Sequence, residues 1–303
     1  MIKSLLKYRV LKWGIGLLQN IPIYGLEGLS LYDLIEMYFI GIINGTLNIR
    51  ASAIAFRLLT MLFPFLLFLL NLVPFIPVAH FQEELISLII DFLPPKTSDF
   101  FNPILSDIIG KQRLNLLSGS FIVSMILMTN GIYAIFSCFH DSYHEVLSKN
   151  LFKKYMRAFF VAIFVALFLF LGVYLNLYYV YLITKYQEYL IGEQLFWLNS
   201  GRFFLVVLLI FMTTSVLFYF GSEKGRLPSL FSPGSILTTC LVIITTYFFA
   251  FYIDHFSNYN EIYGSIGALL IIAIYLWILS NLILLGFELN ISIQKLKSKR
   301  HFL

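Results

Sequence analysis

Charge is what this sequence has least of. Asp, Glu, Lys and Arg make up 12% of its 303 residues, about half of the roughly 25% with which a soluble domain coats its surface. A water-soluble fold is thereby excluded, because 59% hydrophobic residues present more apolar area than so little charge can cover. Lipid must be the solvent for much of the chain. Cysteine is as scarce: Cys138 and Cys240 both fall in apolar runs, which excludes a disulfide framework and a zinc-type spacing. The opening "MIKSLLKYRVLKWGIGLLQN" lacks an uninterrupted apolar core and an A-x-A site, so it reads as retained rather than cleaved. Also missing are H-E-x-x-H, a Gly-rich phosphate loop ending in Lys-Ser/Thr, G-x-S-x-G and H-x-H-x-D-H. No enzyme active site and no cofactor are expected.

What the sequence does have is long apolar runs. About 20 apolar residues cross a hydrocarbon core of about 30 Å, and six stretches qualify, near 53–74, 117–139, 158–183, 203–220, 235–253 and 262–287. The expected fold is all-α: a polytopic transmembrane helix bundle forming one integral membrane domain over 1–303, with both termini on one side. Lys and Arg choose that side. Fifteen fall in 1–50, between spans two and three, between spans four and five, and at the C-terminus, against five on the opposite side. Cytoplasmic loops carry such an excess, so both termini are expected in the cytoplasm.

Two flanking segments have amphipathic patterning. Within 1–50, "SLYDLIEMYFIGIING" sets Leu31, Leu34, Ile35, Tyr38 and Ile42 at helical spacing with Ser30 as a cap, a helix lying against either the membrane or the bundle. The 79–116 segment, split by Pro94-Pro95, reads as an extracytoplasmic helical hairpin.

The candidate site residues are the polar and helix-breaking groups in the apolar runs. Arg57 is a permanent charge inside the first span, and such a residue needs a partner, a water path or a route for its side chain to the interface. Pro64 deprives the Thr60 carbonyl of its usual donor, which opens the same helix locally. Glu288 closes the sixth run at a depth near that of Arg57, so an Arg57–Glu288 pair is geometrically allowed if those spans adjoin. At 258–277, Gly264 and Gly267 permit close helix approach, and Tyr263 offers a polar group at the outer mouth. Asn130 either lines a polar path or bonds between helices. His140 and His144 have metal-compatible spacing but no third ligand in view, so no metal is expected.

"ASAIAFRLLTMLFPFLL" resembles the first-span signature of the YihY/BrkB family of bacterial inner-membrane proteins. The run from Phe256, Ser257, Tyr259, Tyr263, Gly264, Ser265, Gly267 and Ala268 to Gly286, Glu288, Leu289 and Asn290 resembles its C-terminal signature more closely. The resemblance covers roughly 30–292. Arg57 departs from it, standing where many members have tyrosine. It implies six spans, cytoplasmic termini and a bacterial inner membrane. The family once carried the label ribonuclease BN, and some members are linked to serum resistance and to movement of envelope lipids. The nuclease label conflicts with a chain that has no metal-ligand cluster and few charges to hold RNA.

The functional expectation is transport or flipping of an amphiphilic envelope lipid or related anionic substrate. Arg57 would attract the head group and Glu288 would hold Arg57 when the site is empty. The alternative is a non-catalytic membrane scaffold for an envelope-assembly partner. Expected partners are membrane lipids with anionic head groups and, for the scaffold, an envelope protein, with no nucleic acid. The sequence carries no signal for oligomeric state.

Overall fold

The computed structural model describes residues 46–75, 86, 106–107, 109, 113–142, 151–186, 192–222, 230–255 and 265–300. Among them are six long helices: α1 (Thr46–Leu72), α2 (Leu114–Ser142), α3 (Leu151–Tyr186), α4 (Gly192–Gly221), α5 (Pro233–His255) and α6 (Ser265–Arg300). Each contains a stretch long and apolar enough to cross a membrane. The reason is physical: in hydrocarbon every backbone N–H and C=O needs an internal partner, and a helix supplies one within its own segment. No strand occurs among the described residues, so the all-α expectation holds. The amphipathic segment near 30–45, most of the 79–116 hairpin, His144, Tyr263 and Gly264 lie outside the described residues.

Two features of the helices differ from the hydropathy reading. Helix α1 begins at Thr46, and its apolar stretch starts at Leu47, ahead of the expected 53. Arg50, counted above with the flanking bases, is therefore inside the helix. Helix α6 is described from Ser265 and continues to Arg300, and its apolar stretch there is Leu269–Gln294. Glu288 lies within that stretch and not at its end. Pro64 sits inside α1 without ending it.

The chain forms two compact units, one from Met1–Phe56, Tyr133–Leu151 and Ile210–Leu303, the other from Arg57–Ile132 and Phe152–Leu209. In the first, Phe139 of α2 stacks on Phe287 of α6 with centroids 3.7 Å apart and planes at 9°. Phe218 of α4 meets both rings edge-on, each at 5.7 Å. The edge-on contacts suit the ring quadrupoles, and all three side chains are fully buried. Helices α5 and α6 cross where glycine faces glycine. A Cβ on Gly234 would strike the Gly286 carbonyl, and one on Gly286 would strike the Thr238 hydroxyl. Small residues let two backbones meet this closely in a membrane, where association relies on packing and hydrogen bonds. Gly286, toward the far end of α6, makes this close contact. Gly267, near the start of α6, is buried.

In the second unit Gly131 of α2 faces α1, where a Cβ would come within 3.3 Å of the Met61 sulfur. Phe68 of α1 and Phe121 of α2 pack with centroids 5.3 Å apart. Ser120, Ser124 and Thr129, all buried, donate their hydroxyls to carbonyls three or four residues back in α2. Such local bonds let a polar residue sit in an apolar helix without an unmet donor.

Candidate functional site

The charged node of the first unit joins three helices. Arg50, near the start of α1, donates from Nη2 to Glu288 Oε1 of α6 at 2.9 Å and from Nη1 to the Cys138 carbonyl of α2 at 3.2 Å. The Cys138 thiol in turn makes a weak contact to the Arg50 carbonyl at 3.9 Å. Side-chain exposure is 15% for Arg50 and 20% for Glu288, low enough for each charge to need the other and high enough for water or a ligand to reach them. Cys138 lies close to the C-terminal end of α2, where the helix dipole favours a cation. The register of α1 explains the geometry. Leu47, Ala51, Ile54 and Ala55 form its buried stripe, while Ile49, Ser52, Phe56, Arg57, Thr60 and Phe63 are exposed. Arg50 stands at the edge of the stripe and reaches inward.

Glu288 therefore has a different arginine from the one that depth along the span favoured. Arg57 is exposed and has no carboxylate partner among the described residues. The Arg57 carbonyl accepts from the Thr60 hydroxyl at 2.9 Å, so Thr60 makes a local bond within α1. Asn130 of α2 accepts from the Tyr155 hydroxyl of α3 at 3.1 Å, the interhelical one of its two expected roles. Arg57, Thr60, Pro64 and Asn130 belong to the second unit, Gly267 and Glu288 to the first.

Two residues past Glu288, Asn290 organises the start of α5. Its Oδ1 accepts from Gly234 N–H at 2.7 Å and its Nδ2 donates to Ser232 Oγ at 2.9 Å. The first N–H groups of a helix have no intrahelical acceptor, and the sequence Ser232-Pro233-Gly234-Ser235 with Asn290 provides for all of them. Ser232 is the N-cap, its Oγ accepting from Ser235 N–H at 3.2 Å. Pro233 has no N–H to satisfy, Gly234 donates to Asn290, and the Ser232 N–H donates to Ser235 Oγ at 3.2 Å. Further along, Thr238 donates to the Leu282 carbonyl, and Thr214 of α4 and Thr239 share a contact, each at 3.5 Å.

Reasoning from residue types missed Arg50, because it precedes the apolar run and was scored as a topology signal. It also left Asn290 without a role. The Ser-Pro-Gly-Ser run was the available signal for a capped helix start, but the partner of Gly234 N–H is 56 residues away. No group of three or more His, Cys, Asp and Glu that could hold a metal occurs among the described residues.

Six apolar helices, apolar side chains exposed around them and buried polar contacts between them define a multi-pass membrane protein. The family model described as Virulence factor BrkB matches residues 42–302, and the chain belongs to that family. It is similar to a Bacillus subtilis (strain 168) protein named ribonuclease-like protein YfkH, with 24% identity over 253 residues covering 82% of this chain and 90% of that one. No solved structure matches.

Proposed function

We propose that the protein moves an anionic amphiphile, an envelope lipid or a related substrate, within a bacterial inner membrane. Arg50 binds the anionic group, and Glu288 holds Arg50 when the site is empty. The observation that supports this reading is the Arg50–Glu288 pair inside membrane-length helices. Ionised residues in apolar spans are costly and commonly mark substrate or ion paths. A guanidinium presents a fork of donors that a phosphate or carboxylate can engage in place of Glu288, and the partial exposure of both groups makes such an exchange accessible. Arg57, exposed beside Phe56 and Phe63, offers a second attachment for an anionic head group. The excess of bases on the loops of the terminal side supports a cytoplasmic position for this end.

The name of the Bacillus relative points instead to RNA hydrolysis. That reading is not adopted, since among the described residues no group of His, Cys, Asp and Glu that could hold a metal gives it a site. Reconstitution into liposomes with fluorescent lipids tests the proposal. Added protein should speed the exchange of anionic lipids, and Arg50→Gln should abolish the effect. Unchanged rates across several anionic lipids would overturn transport and leave the membrane scaffold, to be checked by recovery of an envelope protein partner.

A further inference from the structure

Two bonds tie the first turn of α1 to α6, and they land far apart. Arg50 reaches Glu288 at 2.9 Å, and Asn48 Oδ1 accepts from the Trp277 indole N–H at 3.0 Å. Trp277 and Glu288 are separated by about 16 Å along α6, at a rise of about 1.5 Å per residue. Asn48 and Arg50 are only two residues apart. The first turn of α1 therefore bridges three turns of α6, with Asn48 reaching toward one end of that length and Arg50 toward the other.

Between the two bonds α6 carries a polar row. At about 100° per residue, Trp277, Asn281 and Glu288 fall within about 40° of one another on a single face. Trp277 is 38% exposed and Asn281, which donates to the Trp277 carbonyl at 2.9 Å, is 7% exposed. The row thus runs from the edge of the seam inward to the charged pair. Around its outer end the surface is apolar: Ile49 and Phe56 of α1 and Ile274 of α6 are 73%, 67% and 43% exposed. In helices of membrane length, such side chains face acyl chains. A seam with an apolar rim and a polar floor ending at an arginine suits a molecule with an acyl chain and an anionic head group. Anionic phospholipid is the abundant molecule of that kind in a membrane leaflet. The Asn48–Trp277 bond stands across the edge of this seam. It joins two exposed, uncharged side chains, and a neutral hydrogen bond of that kind is weak in net terms.

We infer that an anionic phospholipid enters sideways from the membrane between the start of α1 and α6, its head group passing Trp277 and Asn281 to reach Arg50, with the Asn48–Trp277 hydrogen bond as the gate. The inference rests on the reading of Arg50 as the anion-binding group, and adds the route to it and the residues that control the route. Once released from Asn48, the indole N–H donates to a lipid ester or phosphate oxygen, so opening leaves no donor unmet.

Quenching of Trp277 fluorescence by brominated lipids tests the route. The full-length protein with Trp13→Phe and Trp197→Phe keeps Trp277 as its single tryptophan. It is reconstituted with phosphatidylglycerol or phosphatidylcholine brominated at the same acyl positions. Phosphatidylglycerol should reach half-quenching at about tenfold lower mole fraction, the scale of one charge-assisted contact. Arg50→Gln should erase that difference. Asn48→Ala leaves both charges in place and should lower the phosphatidylglycerol midpoint further, by about two- to tenfold, the scale of one neutral hydrogen bond. Equal midpoints for the two lipids, or a difference unchanged in Arg50→Gln, would overturn the route, and a midpoint unmoved in Asn48→Ala would overturn the gate. If Arg50→Gln does not fold, the wild-type difference and its shift in Asn48→Ala decide the matter. Exchange of fluorescent lipids in the same liposomes separates this inference from transport. Exchange without a midpoint difference rejects the route and keeps transport, whereas a difference without exchange keeps the route as a lipid-binding seam and rejects transport.

Discussion

Arg50 and Glu288, 238 residues apart in sequence, meet at 2.9 Å and tie the start of α1 to the late part of α6. Because both are largely buried, removing one leaves the other as an uncompensated charge. Each of Arg50→Ala and Glu288→Ala should cost about 2–4 kcal/mol, and the double substitution less than the sum of the two. Unfolding in lipid nanodiscs, arranged as a double-mutant cycle, measures the coupling. A coupling of zero would remove the pair as a functional latch.

The glycine crossing of α5 and α6 should tolerate no added atom. In Gly286→Ala the new methyl meets Thr238, and in Gly234→Ala it meets backbone and Asn290. Helix backbones cannot shift as a side chain does, so a loss of at least about 2 kcal/mol is expected for each. Gly119→Ala is the control. Nothing lies within 4 Å of a Cβ there, and exchanging a helical glycine for alanine should be neutral or stabilise by up to about 1 kcal/mol. Thermal unfolding of the three purified variants should separate them clearly.

Asn290→Ala should loosen the start of α5 by about 1–3 kcal/mol, because Gly234 N–H loses its acceptor in a buried place. Asn290→Asp keeps that acceptor and should lose less. Hydrogen exchange at Gly234 and neighbouring amides provides the readout, with faster exchange in Asn290→Ala and little change in α3.

Arg57→Ala should alter stability by less than about 0.5 kcal/mol, since an exposed side chain with no carboxylate partner contributes little to the fold. A large loss of stability would mean that Arg57 supports the helix bundle. A slower exchange of anionic lipids with stability intact would support its role as an attachment for head groups.

Much of the architecture was readable from residue order. The spans expected at 117–139 and 235–253 correspond to apolar stretches Leu114–Phe139 and Pro233–Ile253, because crossing hydrocarbon demands a continuous apolar length. In the sixth helix the apolar stretch runs on to Gln294. Glu288, Asn290 and Gln294 lower local hydropathy, yet Asn290 is almost fully buried among partners contributed by α5. A hydropathy window scores such residues as if they met water or lipid alone. The site was less readable: Arg57 drew attention as the conspicuous charge, while the arginine that pairs with Glu288 lay outside the run.

Composition and residue order by themselves determined that lipid is the solvent and that six segments are long and apolar enough to cross it, because transfer into hydrocarbon is set residue by residue and sums along each segment. The asymmetric placement of Lys and Arg likewise follows from order alone and predicts which way the chain faces. Only the tertiary structure decided which arginine meets Glu288, that Gly234 faces Gly286, and that the Trp277 indole meets Asn48. Those facts depend on how each helix is rotated about its axis and which neighbour it packs against. Helices that are apolar on every side, as these nearly are, have no strong pattern in their sequence to specify either.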